Sequence, residues 1–156
     1  MRHNVYVHPT AHVAKTARIG AGTKVYAHAY VGEGAEVGEG CILAQFSHVG
    51  AGAKVGNRVK IEDHAGITTG HRVEDDVILG PYVFCANDPF PTDRPQQFAA
   101  TSTVIHKGAR IGGRACIGPG VDIGENARVG MGAIVYKNVA PGATVFARPG
   151  LSITGL

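Results

Sequence analysis

A chain of 156 residues with 23 glycines, 6% aromatics and no tryptophan has the length of one domain but little material for a layered core, which favours a solenoid with a continuous lumen. Its net charge of +3 is too small and dispersed to argue for nucleic acid, though it suits a phosphorylated ligand. No apolar run is long enough to span a bilayer, the start MRHNVYVHPT lacks a signal-peptide core, and Cys41, Cys85 and Cys116 show no metal spacing, so the expectation is a cytoplasmic chain with reduced thiols.

From Val7 to Leu79 every sixth residue is aliphatic: Val7, Val13, Ile19, Val25, Val31, Val37, Leu43, Val49, Val55, Ile61, Ile67, Val73 and Leu79. Two residues before most of these stands a small one, such as Ala17, Thr23, Ala29, Ala35, Cys41, Ser47 and Ala53, and glycine often follows, as at Gly20, Gly32, Gly38 and Gly50. Period six is neither strand alternation nor a helical repeat, so the chain turns a corner once per hexad. Three hexads close a triangular coil, with one large and one small side chain per hexad pointing inward. Coils stack by parallel pairing about 4.8 Å apart.

The period then breaks. Leu79 and Ile105 are 26 residues apart, so GPYVFCANDPFPTDRPQQFAATST leaves the coil as a loop, centred on about 85–102 and holding Pro81, Pro89, Pro91 and Pro95. A long excursion from a regular scaffold is more often functional than incidental. Hexads return at Ile105, Ile111, Ile117, Ile123, Val129 and Val135, and the period is lost again over about 141–156, where Thr144-Val145-Phe146 is a candidate last strand.

Aliphatic residue, glycine or a small or acidic residue, two free positions and a small residue: this pattern resembles the hexapeptide-repeat, left-handed parallel β-helix. The resemblance implies an all-β fold over residues 1–156 as a single domain with one long inserted loop; handedness comes from the family, because spacing does not give it. Within the loop, Phe84-Cys85-Ala86-Asn87-Asp88, then Pro91 and Arg94, resembles a segment of the N-acetyltransferases that act on nucleotide-linked 3-amino sugars. Ile61-Glu62-Asp63-His64, Glu74-Asp75-Asp76-Val77, Gly80-Pro81 and Lys107-Gly108-Ala109 extend the likeness. The chain departs from that family in carrying Cys85 and Ala86 before Asn87, in an arginine two residues late at Arg94, and in the ending Ala147-Arg148-Pro149-Gly150.

What this resemblance implies is acetyl transfer from acetyl-coenzyme A, without a metal, to the amine of a nucleotide-linked amino sugar. The reaction needs a neutral amine near attack distance, an oxyanion donor and a proton acceptor. Asn87 and Asp88 are the candidates for orienting the acceptor, and the bland alternative for Asn-Asp is a turn that caps its own backbone. Thr10, His28, Phe46, His64 and Tyr82 are spaced by 18 and stack as a ladder ending beside the loop, which nominates His64 as base; the leaving thiolate is the alternative proton acceptor. Glu62, Tyr82, Phe84 and Arg94 are candidates for substrate contact, and Lys107, Arg114, Lys137 and Arg148 for the coenzyme phosphates, with Arg110 nearby. Family members form trimers with sites between neighbours, so a homotrimer is expected.

Two rivals stand. His12, Tyr30 and His48 form a second ladder, and a resemblance to γ-type carbonic anhydrases would need a histidine, a second 36 residues later and a third five beyond it: His28 with His64 and His12 with His48 meet the first step, yet the third ligand that a catalytic zinc requires falls on Thr69 or Ala53. A non-catalytic β-helix assembly module is the other, and it predicts neither a long loop nor phosphate-binding groups.

Overall fold

The computed structural model describes residues 4–88 and 101–147. Among them lie twenty strands of two residues each, from Tyr6–Val7 to Thr144–Val145. Each strand is short because the inward residue must be followed by a corner, and the strands gather into three parallel sheets that form the faces of a prism. Face A stacks eight strands, from Tyr6–Val7 through Lys60–Ile61 and Ile78–Leu79 to Thr144–Val145. Face B stacks seven, from His12–Val13 through Gly66–Ile67 and Phe84–Cys85 to Ile134–Val135. Face C stacks five, from Arg18–Ile19 through Arg72–Val73 to Val104–Ile105, and continues through parallel bridges from Ile105 to Ile123 and from Ile123 to Val139. The repeats fit a left-handed β-helix of about seven turns.

The hexad residues fill the lumen. Leu43, Ile61, Ile67, Leu79, Ile105, Ile117 and Ile123 are fully buried, as are Ala35, Cys41, Ala53 and Ala65 at the small positions. Burying each large side chain contributes about 1.5–3 kcal/mol. Backbone amides of one coil donate to carbonyls of the next, as His48 N does to Ala65 O at 2.9 Å. This tight stacking is why glycine follows so many hexads: a Cβ on Gly50 would lie 2.5 Å from Thr68 C and Thr69 N in the next coil.

Strand register measures each coil. Tyr6 pairs with Lys24, an offset of 18; Ile78 pairs with Arg110, an offset of 32; Arg128 pairs with Thr144, an offset of 16. One coil therefore holds fourteen extra residues and one is two residues short. Two expectations are corrected here. Residues 80–85 do not leave the coil, because Val83 and Cys85 occupy lumen positions and Phe84 pairs with Gly66 and Cys116. A thiol is small and apolar enough to replace the aliphatic residue, and that masked the hexad. The period is also not lost from residue 141: after a shortened corner, Val139 and Val145 restore the spacing of six, and the candidate last strand is present at Thr144–Val145. No helix among the described residues is long and apolar enough to cross a membrane.

Candidate functional site

Each coil passes three corners, and they differ chemically. The corner from face A to face B carries residues with positive φ that are not glycine: His28 at 59°, Phe46 at 56°, His64 at 58°, Tyr82 at 59° and Arg114 at 60°. The left-handed region costs such residues about 1–2 kcal/mol each. Ring stacking offsets part of that, with neighbouring centroids of His28, Phe46, His64 and Tyr82 separated by 4.7–4.8 Å and nearly parallel planes. Thr10 Oγ1 starts the column by accepting from His28 N at 3.2 Å. Arg114 Cζ ends the ladder 5.8 Å from the Tyr82 centroid, placing one nominated phosphate-binding residue in a cation–π contact. Glu62 lies at the entry to this corner, joined to Lys60 Nζ at 2.7 Å.

Face B carries the second ladder. His12, Tyr30 and His48 stack at 5.1 and 4.9 Å, and burial pushes the His48 imidazole below its usual range. Further along the same column Phe84 and Ile134 are exposed, 51% and 64%. Tyr30 stands between His12 and His48, and Phe46 between His28 and His64, so these columns share ring faces, not nitrogens. No three His, Cys, Asp or Glu side chains come together as a metal site among the described residues.

The corner from face B to face C holds the interruption. Ala86 N still donates to Ile117 O at 2.9 Å, after which Asn87 O accepts from Thr101 N at 3.1 Å, and Ser102 Oγ bonds Gly70 O at 2.9 Å. Asn87 and Asp88 thus stand where the chain quits the wall. Lys137 lies at this corner two coils on, roughly 10 Å along the axis. Beneath it, inside the prism, is a histidine that sequence reasoning passed over. His71 is 1% exposed, and its Nε2 lies 3.2 Å from both Ala86 O and Thr68 Oγ1. Its place two residues before Val73, in a column of small residues, was the signal that could have found it.

The corner from face C to face A is a clamp of charges. Arg58 grips both Asp76 oxygens at 2.7 and 2.9 Å, while Asp75 accepts from Asn57 N at 2.8 Å. These bonds hold both carboxyls below the usual range: the Arg58 bond leads for Asp76 and the Asn57 amide for Asp75. Glu74 accepts from Lys107 N at 3.0 Å and pairs with His106 at 3.3 Å. Arg110 donates to Asp76 O at 2.5 Å. The Glu74-Asp75-Asp76 run is therefore structural, and Arg110 is committed to the same clamp. A groove of about 410 Å³ lined by Glu36, Lys54, Arg72, Glu74, Asp75 and Lys107 runs along face C.

The nominated residues accordingly fall in three places. Glu62, His64, Tyr82 and Arg114 share one corner, with Phe84 on the adjoining face; Asn87, Asp88 and Lys137 share the next; Lys107 occupies the third. Asn87 is five residues beyond Tyr82, a reach of at most about 17 Å, and His64 is one coil below Tyr82, so base candidate and acceptor candidate stand at opposite ends of face B. Arg94 and Arg148 lie outside the described residues. Cys85 is fully buried, and burial with the neighbouring Cys116 pushes its thiol up to about 12, which removes it as a nucleophile.

Residues 16–51 and 102–137 match the model of the bacterial transferase hexapeptide family (six repeats). No curated protein matches the sequence. Among solved structures, the chain is similar to the acetyltransferase domain of PglB from Neisseria gonorrhoeae, with a TM-score of 0.62 and 23% identity, covering 96% of this chain and 57% of that one. The same domain in complex with acetyl coenzyme A gives a TM-score of 0.61. A point mutant of AntD, an N-acyltransferase from Bacillus cereus in complex with dTDP and coenzyme A, gives 0.57 with 17% identity, covering 94% of this chain and 77% of that one. At these identities the likeness is one of fold, and the chain spans less than two thirds of the PglB domain's length.

Proposed function

We propose that this chain, two stretches of which match the bacterial transferase hexapeptide model, is an acetyl-CoA-dependent N-acetyltransferase acting on a nucleotide-linked amino sugar. The observation that carries this reading is the single long interruption of an otherwise regular wall, which sets Asn87 and Asp88 at its root. Structures of the same fold that hold acetyl coenzyme A, or coenzyme A with dTDP, support the choice of donor and of a nucleotide-bearing acceptor. The coenzyme is a cytoplasmic metabolite, and this supports that location.

In the reaction, the neutral sugar amine attacks the thioester carbonyl carbon. A C–N bond forms, the carbonyl oxygen carries the charge, and C–S cleavage then releases coenzyme A. Asn87 supplies an amide that can donate to the carbonyl oxygen or hold the amine, and Asp88 a carboxylate that accepts from the amine. The amine proton passes to His64 or to the departing thiolate. Glu62, Tyr82, Phe84 and Arg94 are assigned to the acceptor; Lys107, Arg114, Lys137 and Arg148 are assigned to the coenzyme phosphates. The protein works as a homotrimer, because His64 and Asn87 occupy different corners of one prism and a neighbouring copy can bring the two corners together.

Thiol release from acetyl-CoA, measured against a panel of nucleotide-linked amino sugars, tests the reaction. Turnover with at least one of them, lost in Asn87→Ala while the assembly stays intact, is the expected result. A panel without turnover overturns the substrate assignment, and full turnover in the variant removes Asn87 from the mechanism.

A further inference from the structure

On face C the small lumen column reads Ala17, Ala35, Ala53, His71, Thr103 and Val121, with histidine once, at His71. That one position lies directly beneath the root of the interruption. Ala86 O can only accept, so the Nε2 that lies 3.2 Å from it carries the proton. Thr103 N–H can only donate, so the Nδ1 that it approaches at 3.5 Å is bare. Thr68 Oγ1 completes the set, 3.2 Å from Nε2 and donating its own proton to Cys85 O at 3.0 Å. The ring is thus a neutral Nε2–H tautomer whose two nitrogens reach the last wall residue before Asn87 and the first lumen residue after Ser102.

We propose that His71 is a positioning residue that ties both roots of the 87–102 segment to the inside of the prism and thereby sets the place of Asn87. Among the described residues, the groups that face the ring are the Thr68 hydroxyl, the Cys85 and Ala86 carbonyls and the Thr103 amide, none of which titrates near neutral pH. An added proton would aim Nδ1–H at Thr103 N–H, two donors face to face, so the brace works only while the ring is neutral. Burial acts in the same direction. A valine fits this column, as Val121 does two coils on, but leaves Ala86 O and Thr103 N without the ring. Only the kinetic part of this inference rests on the acetyltransferase reading.

The test has two arms. Nitrogen-15 NMR of the wild-type ring should show one protonated and one bare nitrogen at neutral pH, and the second proton should be taken up only below the range in which an ordinary histidine titrates; a ring that titrates normally or shows the Nδ1–H tautomer overturns the inference. In His71→Val, hydrogen exchange at the Thr101 and Thr103 amides should accelerate at least about tenfold while Ile61 and Ile117 amides keep their protection, and kcat should fall while KM for acetyl-CoA holds. His71→Gln, which keeps a donor and an acceptor, should recover part of both losses and serves in place of the valine variant if that does not fold. Unchanged exchange in the folded variants overturns the brace; changed exchange in a protein that acetylates no amine leaves the brace standing and sinks the acetyltransferase reading instead.

Discussion

Alkylation of the three thiols tests how completely the wall sequesters Cys85. A thiol held at about 12 instead of the ordinary 9.0 has about a thousandth of the thiolate at neutral pH, and thiolate is the species that reacts with iodoacetamide. Full burial adds the requirement that the coil open before reagent enters. Timed labelling followed by peptide mass spectrometry should therefore find Cys85 modified at least about a thousandfold more slowly in the folded protein than in the urea-unfolded chain. The half-buried Cys116 serves as the internal comparison and should react first. Cys85→Val should retain both fold and turnover, because valine is the usual occupant of hexad positions. Labelling of folded Cys85 within about tenfold of the unfolded rate would refute the burial and reopen covalent acyl transfer through this thiol.

Two further outcomes follow from packing and protonation. Gly50→Ala forces a Cβ to 2.5 Å from backbone atoms of the next coil, whereas Gly52→Ala meets nothing within 4 Å and bears only a φ of +64°. The first should cost about 3 kcal/mol or more and the second about 1–2, separating their melting temperatures by several degrees; the reverse order in thermal unfolding would contradict the stacking. Burial lowers the affinity of folded His71, and to a lesser degree of the half-exposed His48, for protons. Below about pH 6.5 the unfolded chain then binds more protons than the folded one, so stability falls as pH drops through that value. Denaturant midpoints should decline on acidification below this point, and less steeply in His71→Val; a slope unchanged by that substitution would remove His71 as the cause.

The wall was legible because packing alone dictates it. A residue such as Ile67, with Val49 and Cys85 in register on either side, has one place to go, and repetition makes that place visible in one dimension. Ladders of His28, Phe46, His64 and Tyr82 were legible for the same reason, since an offset of 18 is a spatial neighbour. Errors arose where chemistry substitutes for shape. Cys85 stands in for an aliphatic residue and hid one hexad, and a corner two residues short hid the place of Val139 in the period, although the last strand at Thr144–Val145 was legible. His71 went unnoticed because a polar ring in an apolar column is stabilised by carbonyls and an amide from other coils, none of which its own neighbours in sequence announce. Counting by 18 also treats corners as equivalent, and so the ladder was expected to end beside the interruption when it ends one corner earlier.

That misplaced corner carries the sharpest consequence for catalysis. His64 lies between faces A and B, Asn87 between faces B and C, and the rigid strand between them leaves no hinge that could fold one onto the other. If both act on one acceptor, they must come from different copies. A mixture of His64→Ala and Asn87→Ala chains, each inactive alone, then regains turnover after co-assembly, because some clefts receive intact His64 from one chain and intact Asn87 from its neighbour. For random mixing at equal amounts, about a quarter of the clefts are intact, so about a quarter of wild-type activity is expected. No recovery in verified mixed assemblies would overturn the shared cleft and strike His64 or Asn87 from the mechanism. Full activity of His64→Ala alone would identify the departing thiolate as the proton acceptor and leave Asn87 and Asp88 as the residues that orient the amine.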